Sequence, residues 1–86
     1  MGSSERFRLE VTVEPFVDAN LGPHVAAAIE AAADAGLEIE IGPFGTAAEG
    51  ADALVLSAMP HITGAALAAG ATRVTLQVTE AAIDLG

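Results

Sequence analysis

The sequence predicts a small α+β sandwich in which two β-α-β halves share one four-stranded antiparallel sheet, with two helices on one of its faces. Three observations carry this expectation. Apolar and polar residues alternate between Phe7 and Val13, Leu37 and Ile41, and Val74 and Val78, the period of strands with one buried face. Between those runs lie two alanine-rich stretches with apolar residues at helical spacing. A chain of 86 residues fills one core and not two.

The first strand places Phe7, Leu9, Val11 and Val13 on one side and Arg8, Glu10, Thr12 and Glu14 on the other. Pro15 closes it, having no N–H to give to a ladder. Residues 18–22 read as a loop, and Pro23 suits the first position of a helix. In that helix Val25, Ile29, Ala32 and Ala33 are expected to face inward and Glu30 and Asp34 outward, with Gly36 as a left-handed terminator. Leu37, Ile39 and Ile41 then alternate with Glu38 and Glu40 in a second strand, whose carboxylates discourage pairing with a foreign sheet edge.

Gly42-Pro43 marks a turn. If Ile41 pairs with Phe44, then Phe44, Thr46 and Ala48 face the core, while Gly45, Ala47 and Glu49 face away. A second helix starts at Gly50 or Asp52 and runs to about Ala69, closed by Gly70. Its Leu54, Val55, Leu56 and Met59 read as core packing. Pro60 removes a backbone bond to Leu56 and is expected to kink or split this helix, which Gly64 weakens further. In the last strand Val74, Leu76 and Val78 point inward and Arg73, Thr75, Gln77 and Thr79 outward. The compact solution for β-α-β-β-α-β is the ferredoxin-like fold, strand order 4-1-3-2, with right-handed crossovers that place both helices on one face. The expected layout is a disordered or tag-like start over 1–6, the domain over 7–80 and a tail over 81–86.

Composition excludes several classes of function. Twelve acidic residues against three arginines give a formal charge of −9, which opposes binding to a phosphate backbone. The chain has no cysteine, so disulfide frames, zinc ribbons and redox dithiols are excluded. No apolar run approaches the roughly 18 residues of a membrane span, and the start has no apolar signal segment. The expectation is a cytoplasmic protein with no nucleic-acid and no membrane partner.

Catalytic patterns are equally sparse. His24 and His61 fall on different helices without a ligand pair, which argues against a metal site. Ser57 stands four residues before His61, but no third group completes a nucleophilic set. Gly42-Pro43-Phe44-Gly45-Thr46 lacks the lysine and following helix of a phosphate loop. Antiparallel pairing brings Glu14 toward Arg73 and Arg8 toward Glu49, two cross-strand ion pairs.

The run Gly42-Pro43-Phe44-Gly45-Thr46-Ala47-Ala48-Glu49-Gly50 resembles the hairpin of the thiamine-binding protein family, the YkoF-like group. So do Ala69-Gly70-Ala71-Thr72-Arg73-Val74, the opening strand Leu9-Glu10-Val11-Thr12-Val13-Glu14-Pro15 and the helix end Ala35-Gly36-Leu37. The resemblance covers roughly residues 7 to 80. It implies a ferredoxin-like unit that works as a paired domain or small homo-oligomer and binds thiamine or its hydroxymethylpyrimidine part without chemistry on the ligand; the expectation is a homodimer or homotetramer with no cofactor and no metal. The chain departs from the family at Pro60 and at Gly22-Pro23-His24, where the usual hydroxyl cap is missing.

On this basis the ligand residues are expected on the open sheet face: Glu10, Thr12, Glu14, Gly45, Ala47, Glu49 and Gln77. Thr46 joins them as a candidate, either as a satisfied core hydroxyl or, after a one-residue slip, as part of the pocket. A flat aminopyrimidine would rest on the shallow patch at Gly45 and Ala47, with Glu10 or Glu14 near a thiazolium cation. The competing expectation is a regulatory or assembly module whose sheet face is consumed by self-association.

Overall fold

A computed structural model describes residues 5–15, 22–42 and 45–81. Six elements follow in the predicted order: β1 (Arg6–Glu14), α1 (Pro23–Asp34), β2 (Glu38–Ile41), β3 (Thr46–Ala51), α2 (Asp52–Ala68) and β4 (Arg73–Glu80). The sheet runs β2-β3-β1-β4, which is the expected order read from its other edge, and every pairing is antiparallel. β1 is central and pairs with β3 from Arg6 opposite Ala51 to Val11 opposite Thr46. On its other side it pairs with β4 from Phe7 opposite Glu80 to Glu14 opposite Arg73.

The two helices end in the same way. Gly36 and Gly70 take φ of 90° and 114°, the left-handed region that glycine enters without strain. After α1, Gly36 N donates to Ala33 O and Leu37 N to Ala32 O; after α2, Gly70 N donates to Leu67 O and Ala71 N to Ala66 O. Each pair satisfies two of the carbonyls that a helix end leaves open.

The core lies between the sheet and the helices. Leu9, Ile62 and Val55 are its largest fully buried side chains, and Ala28, Ala32, Ala48, Ala58 and Ala66 pack among them. Alanines at these positions let the two helices approach each other and the sheet closely. Val74, Leu76 and Val78 of β4 are half-buried and border this cluster. In α1 the buried stripe is His24, Ala28 and Ala32, with Val25 and Ile29 half-buried beside it; Ala33, expected inside, is exposed.

Three further expectations are corrected. The β2–β3 pairing joins Ile41 to Thr46, not to Phe44, so the connection takes residues 42–45 and is closed by Gly42 N donating to Gly45 O at 2.8 Å. The shift is two residues, so each side chain keeps its predicted face: Thr46 is buried and Ala48 sits in the core. Second, α2 is not split at Pro60 but runs as one continuous helix through it. Pro60 is exposed and so is Leu56, whose carbonyl lost its helical donor, so water can serve it. Third, only part of the Leu54–Met59 stretch is core: Val55 is fully buried and Met59 half-buried, but Leu54 and Leu56 are 43% and 52% exposed. The expected loop over 18–21, the inward Phe44 and most of both termini lie outside the described residues.

Both chain ends of the domain are tied in. Asp52 N donates to Glu5 O at 3.0 Å and Ala81 N to Arg6 O at 2.9 Å. Hydrogen bonding therefore reaches one residue before the start of β1 and one residue past the end of β4.

Candidate functional site

The sheet face away from the helices is built by alternation. Residues 6, 8, 10, 12 and 14 of β1 share it with Ala47 and Glu49 of β3, Glu38 and Glu40 of β2, and Arg73, Thr75 and Gln77 of β4. All three arginines of the chain stand here, set among carboxylates. Arg6 Nη2 donates to Glu38 Oε1 at 3.1 Å, and its Nε lies 3.6 Å from Glu49 Oε2. Arg8 touches three acids: Nη2 donates to Glu40 Oε1 at 3.3 Å, Nε lies 3.6 Å from Glu10, and Nη1 lies 3.7 Å from Glu49. Arg73 Nε is 3.9 Å from Glu14 Oε2 at the other end of the strand. Both predicted ion pairs, Glu14 with Arg73 and Arg8 with Glu49, are formed.

These pairs are solvated, and each contributes about 0.2–1 kcal/mol at most. Their larger consequence is electrostatic. Five carboxylates surround three guanidinium groups on one face, so the face keeps a negative field after pairing.

A cleft of about 330 Å³ opens on this face, lined by residues of β1, β2 and β3 together with Gly42 and Gly45. Its floor is Ala47, its rim carries Glu10, Thr12, Glu40 and Arg8, and Gly42 and Gly45 form the turn side. Gly45 is required by its surroundings: a Cβ there would lie 2.9 Å from the backbone oxygen of Val11. That close approach brings the turn down onto β1 and shapes the end of the cleft. A smaller hollow of about 170 Å³ adjoins it over Glu38, Glu40, Ala47 and Glu49, with Arg8 shared between the two.

Of the residues singled out from sequence, Glu10, Thr12, Gly45, Thr46 and Ala47 border the larger cleft. Glu49 borders only the smaller hollow. Gln77 lies opposite Glu10 on β4, outside the cleft lining, and Glu14 stands at the far end of β1 with Arg73. Arg8, Glu40 and Gly42 line the cleft without having been picked as ligand residues. For Glu40 the signal was its parity with Ala47 across β2 and β3, which puts it on the same face as Glu10.

The histidines are elsewhere. His24 is buried, and its Nε2 donates to Pro15 O at 2.6 Å, a structural bond that fastens the start of α1 to the end of β1. His61 is exposed on α2, and Ser57 bonds back to Leu54 O at 3.3 Å. Among the described residues no three His, Asp or Glu side chains converge in a way that could hold a metal ion. No described helix is long and apolar enough to cross a membrane.

A ferredoxin-like domain whose uncovered sheet face carries a carboxylate-rimmed cleft belongs structurally with small-molecule binding modules. The family model described as thiamine-binding protein matches residues 9–81, and the chain belongs to that family. Among solved structures, a hypothetical protein from Methanocaldococcus jannascii is similar with a TM-score of 0.68 at 23% identity, over 94% of this chain and 84% of that one. A domain of unknown function from Bacillus cereus gives 0.65 at 24% identity, over 91% and 76%. Both likenesses concern the fold alone. A Thermotoga maritima protein provisionally described as one of thiamine biosynthesis or salvage gives 0.64 at 25% identity, over 87% and 81%. No match to a curated protein was found.

Proposed function

We propose that this protein is a non-catalytic binder of thiamine or its hydroxymethylpyrimidine moiety, acting in the cytoplasm as a homodimer or homotetramer. Family membership supports the small-molecule role, and the provisional thiamine description of the Thermotoga maritima relative supports the ligand class. The observation that carries the site is the cleft with Glu10 and Glu40 on its rim and Ala47 as its floor. Its volume is at the small end for ligand pockets, which suits a single heteroaromatic ring.

In this reading the aminopyrimidine lies flat on Ala47, with Gly45 and Thr12 together at one edge of the ring. Its amino group donates to a carboxylate, and the Thr12 hydroxyl serves either as donor or as acceptor to the ring. A thiazolium cation gains from Glu10 and Glu40 in a face already negative. Glu14 stands further along β1 and Gln77 one strand over, opposite Glu10 on β4; both are outside the cleft lining and would meet only a longer ligand. Ser57 and His61 stand outside the cleft, on the helix layer, so binding proceeds without acid–base chemistry from them.

The test is calorimetric titration of thiamine and of hydroxymethylpyrimidine into the purified protein, with light scattering in parallel. Saturable micromolar binding is expected, and the double variant Glu10→Gln, Glu40→Gln should weaken thiamine at least tenfold, about 1.4 kcal/mol, with the oligomer unchanged. No binding by a folded protein would sink the ligand assignment. If those open-face changes instead alter the mass, the sheet face is an assembly surface. Conversion of thiamine during the titration would remove the non-catalytic assignment.

A further inference from the structure

Two neighbouring rows of side chains cross the sheet face from β2 to β1. One row is Glu38, Glu49 and Arg8; the next is Glu40, Ala47 and Glu10. The first row supplies a cation beside its acids. In the second, two carboxylates flank an alanine that offers them nothing, their backbones two strand spacings or about 10 Å apart. Arg8 fills that gap from its own row. Its Nη2 donates to Glu40 Oε1 at 3.3 Å, and its Nε lies 3.6 Å from Glu10 Oε2. The guanidinium therefore bridges the two rim acids across the cleft that Ala47 floors.

A guanidinium is flat and carries N–H donors in its plane along more than one edge. The same cleft asks those properties of a ligand: a flat group against the Ala47 methyl, with donors toward a carboxylate on either side. The chain already meets both demands with its own side chain.

Arg8 also has a second place to go. Its Nη1 lies 3.7 Å from Glu49, the residue opposite it on β3. The adjoining hollow of about 170 Å³ is lined on that side by Glu38 and Glu49, and Arg8 borders both cavities. Its side chain is 35% exposed, and solvated ion pairs are weak enough to exchange.

We infer that Arg8 is an internal occupant of the cleft, seated where the flat nitrogen ring of the ligand goes, and that binding exchanges it into the smaller hollow against Glu49 and Glu38. Arg8 thereby sets specificity. Only a flat group that restores N–H donors toward Glu10 and Glu40 displaces it. This rests on the aminopyrimidine reading of the cleft and adds the group that the ligand has to replace.

Calorimetry with hydroxymethylpyrimidine tests it, because that ligand is uncharged at neutral pH and gains little from the mere loss of a nearby positive charge. Arg8→Ala should bind it at least fivefold more tightly than the wild type. Arg6→Gln removes the same charge from the same face outside the cleft lining and should leave the affinity unchanged. Methylguanidine, a free copy of the lost group, should bind Arg8→Ala saturably at millimolar concentration and compete with the pyrimidine, and should not bind the wild type. Circular dichroism checks that both variants fold.

A measurement on the wild type stands beside these. The chain has three arginines and no lysine, so three side-chain Nε–H signals appear in a nitrogen–proton NMR spectrum. The Arg8 signal, assigned by its loss in Arg8→Lys, should shift most as the pyrimidine is added. Equal or weaker binding by Arg8→Ala, equal tightening by Arg6→Gln, a methylguanidine null at Arg8→Ala, or a stationary Arg8 signal while the pyrimidine binds overturns the exchange and leaves the ligand assignment standing. Methylguanidine bound by Arg8→Ala, with neither thiamine nor the pyrimidine bound by any of the proteins, overturns the ligand assignment and keeps Arg8 as the occupant. Binding of none of the three overturns both.

Discussion

The two outward faces of this domain differ in almost every physical respect. The sheet face holds all the cations of the chain, five carboxylates and a cleft. The outer face of α2 exposes Leu56 and Leu67 beside Ser57 and His61, and the helix has no carboxylate beyond Asp52 at its first position. One face exerts a long-range field that water and salt attenuate, the other presents apolar area that exerts none. A small domain thus presents two physically different surfaces with a single core between them.

Two glycines mark the contrast and give its largest and smallest tests. Gly45 has no room, because a Cβ would press on the Val11 carbonyl at 2.9 Å. Gly45→Ala should therefore shift the turn away from β1 and lower stability by about 2 kcal/mol, read from urea denaturation. An unchanged midpoint would mean that the turn is not held against the strand. Salt is the next lever. Raising ionic strength should weaken thiamine binding several-fold, near ~1 kcal/mol. An affinity indifferent to salt would show that the field of the sheet face does not contribute to binding. Gly64, by contrast, has open space, with nothing within 4 Å of an added Cβ. Gly64→Ala should raise helix stability by about 0.5–1 kcal/mol, measured by urea denaturation. Destabilisation would mean that the position is already filled.

The fold was legible because its signals are local. Phe7 to Val13 and Val74 to Val78 state their faces by alternation, and Gly36 and Gly70 state the helix ends. The turn between β2 and β3 was less so: Gly42-Pro43 announces a reversal without fixing its length, and the pairing moved by two residues. Even so, the face assignment survived, since strand faces depend only on parity. The split expected as one outcome at Pro60 does not occur: its effect depends on whether the freed carbonyl meets water, and sequence does not show exposure.

The candidate site was legible by face and not by position along the strand. Glu10, Thr12 and Ala47 share the cleft because they lie side by side across β1 and β3. Glu14 and Gln77 share their face but not their place. Arg8 was visible as a partner of Glu49; that it also reaches Glu10 and Glu40 depends on three strands at once. Leu56 was read as core, since apolarity alone cannot distinguish a buried side chain from an exposed one.

The end of β1 carries one more consequence. His24 reaches the carbonyl of Pro15, and Thr72 gives both its N–H and its hydroxyl to the carbonyl of Glu14, at 2.8 and 3.2 Å. The first contact spans nine residues and the second 58. Loop closure makes the shorter one entropically cheaper to form on its own, whereas the longer needs the second β-α-β half already in place. Two adjacent carbonyls at the end of β1 therefore fasten it to both halves of the chain, the nearer half through α1 and the farther through the residue that leads into β4.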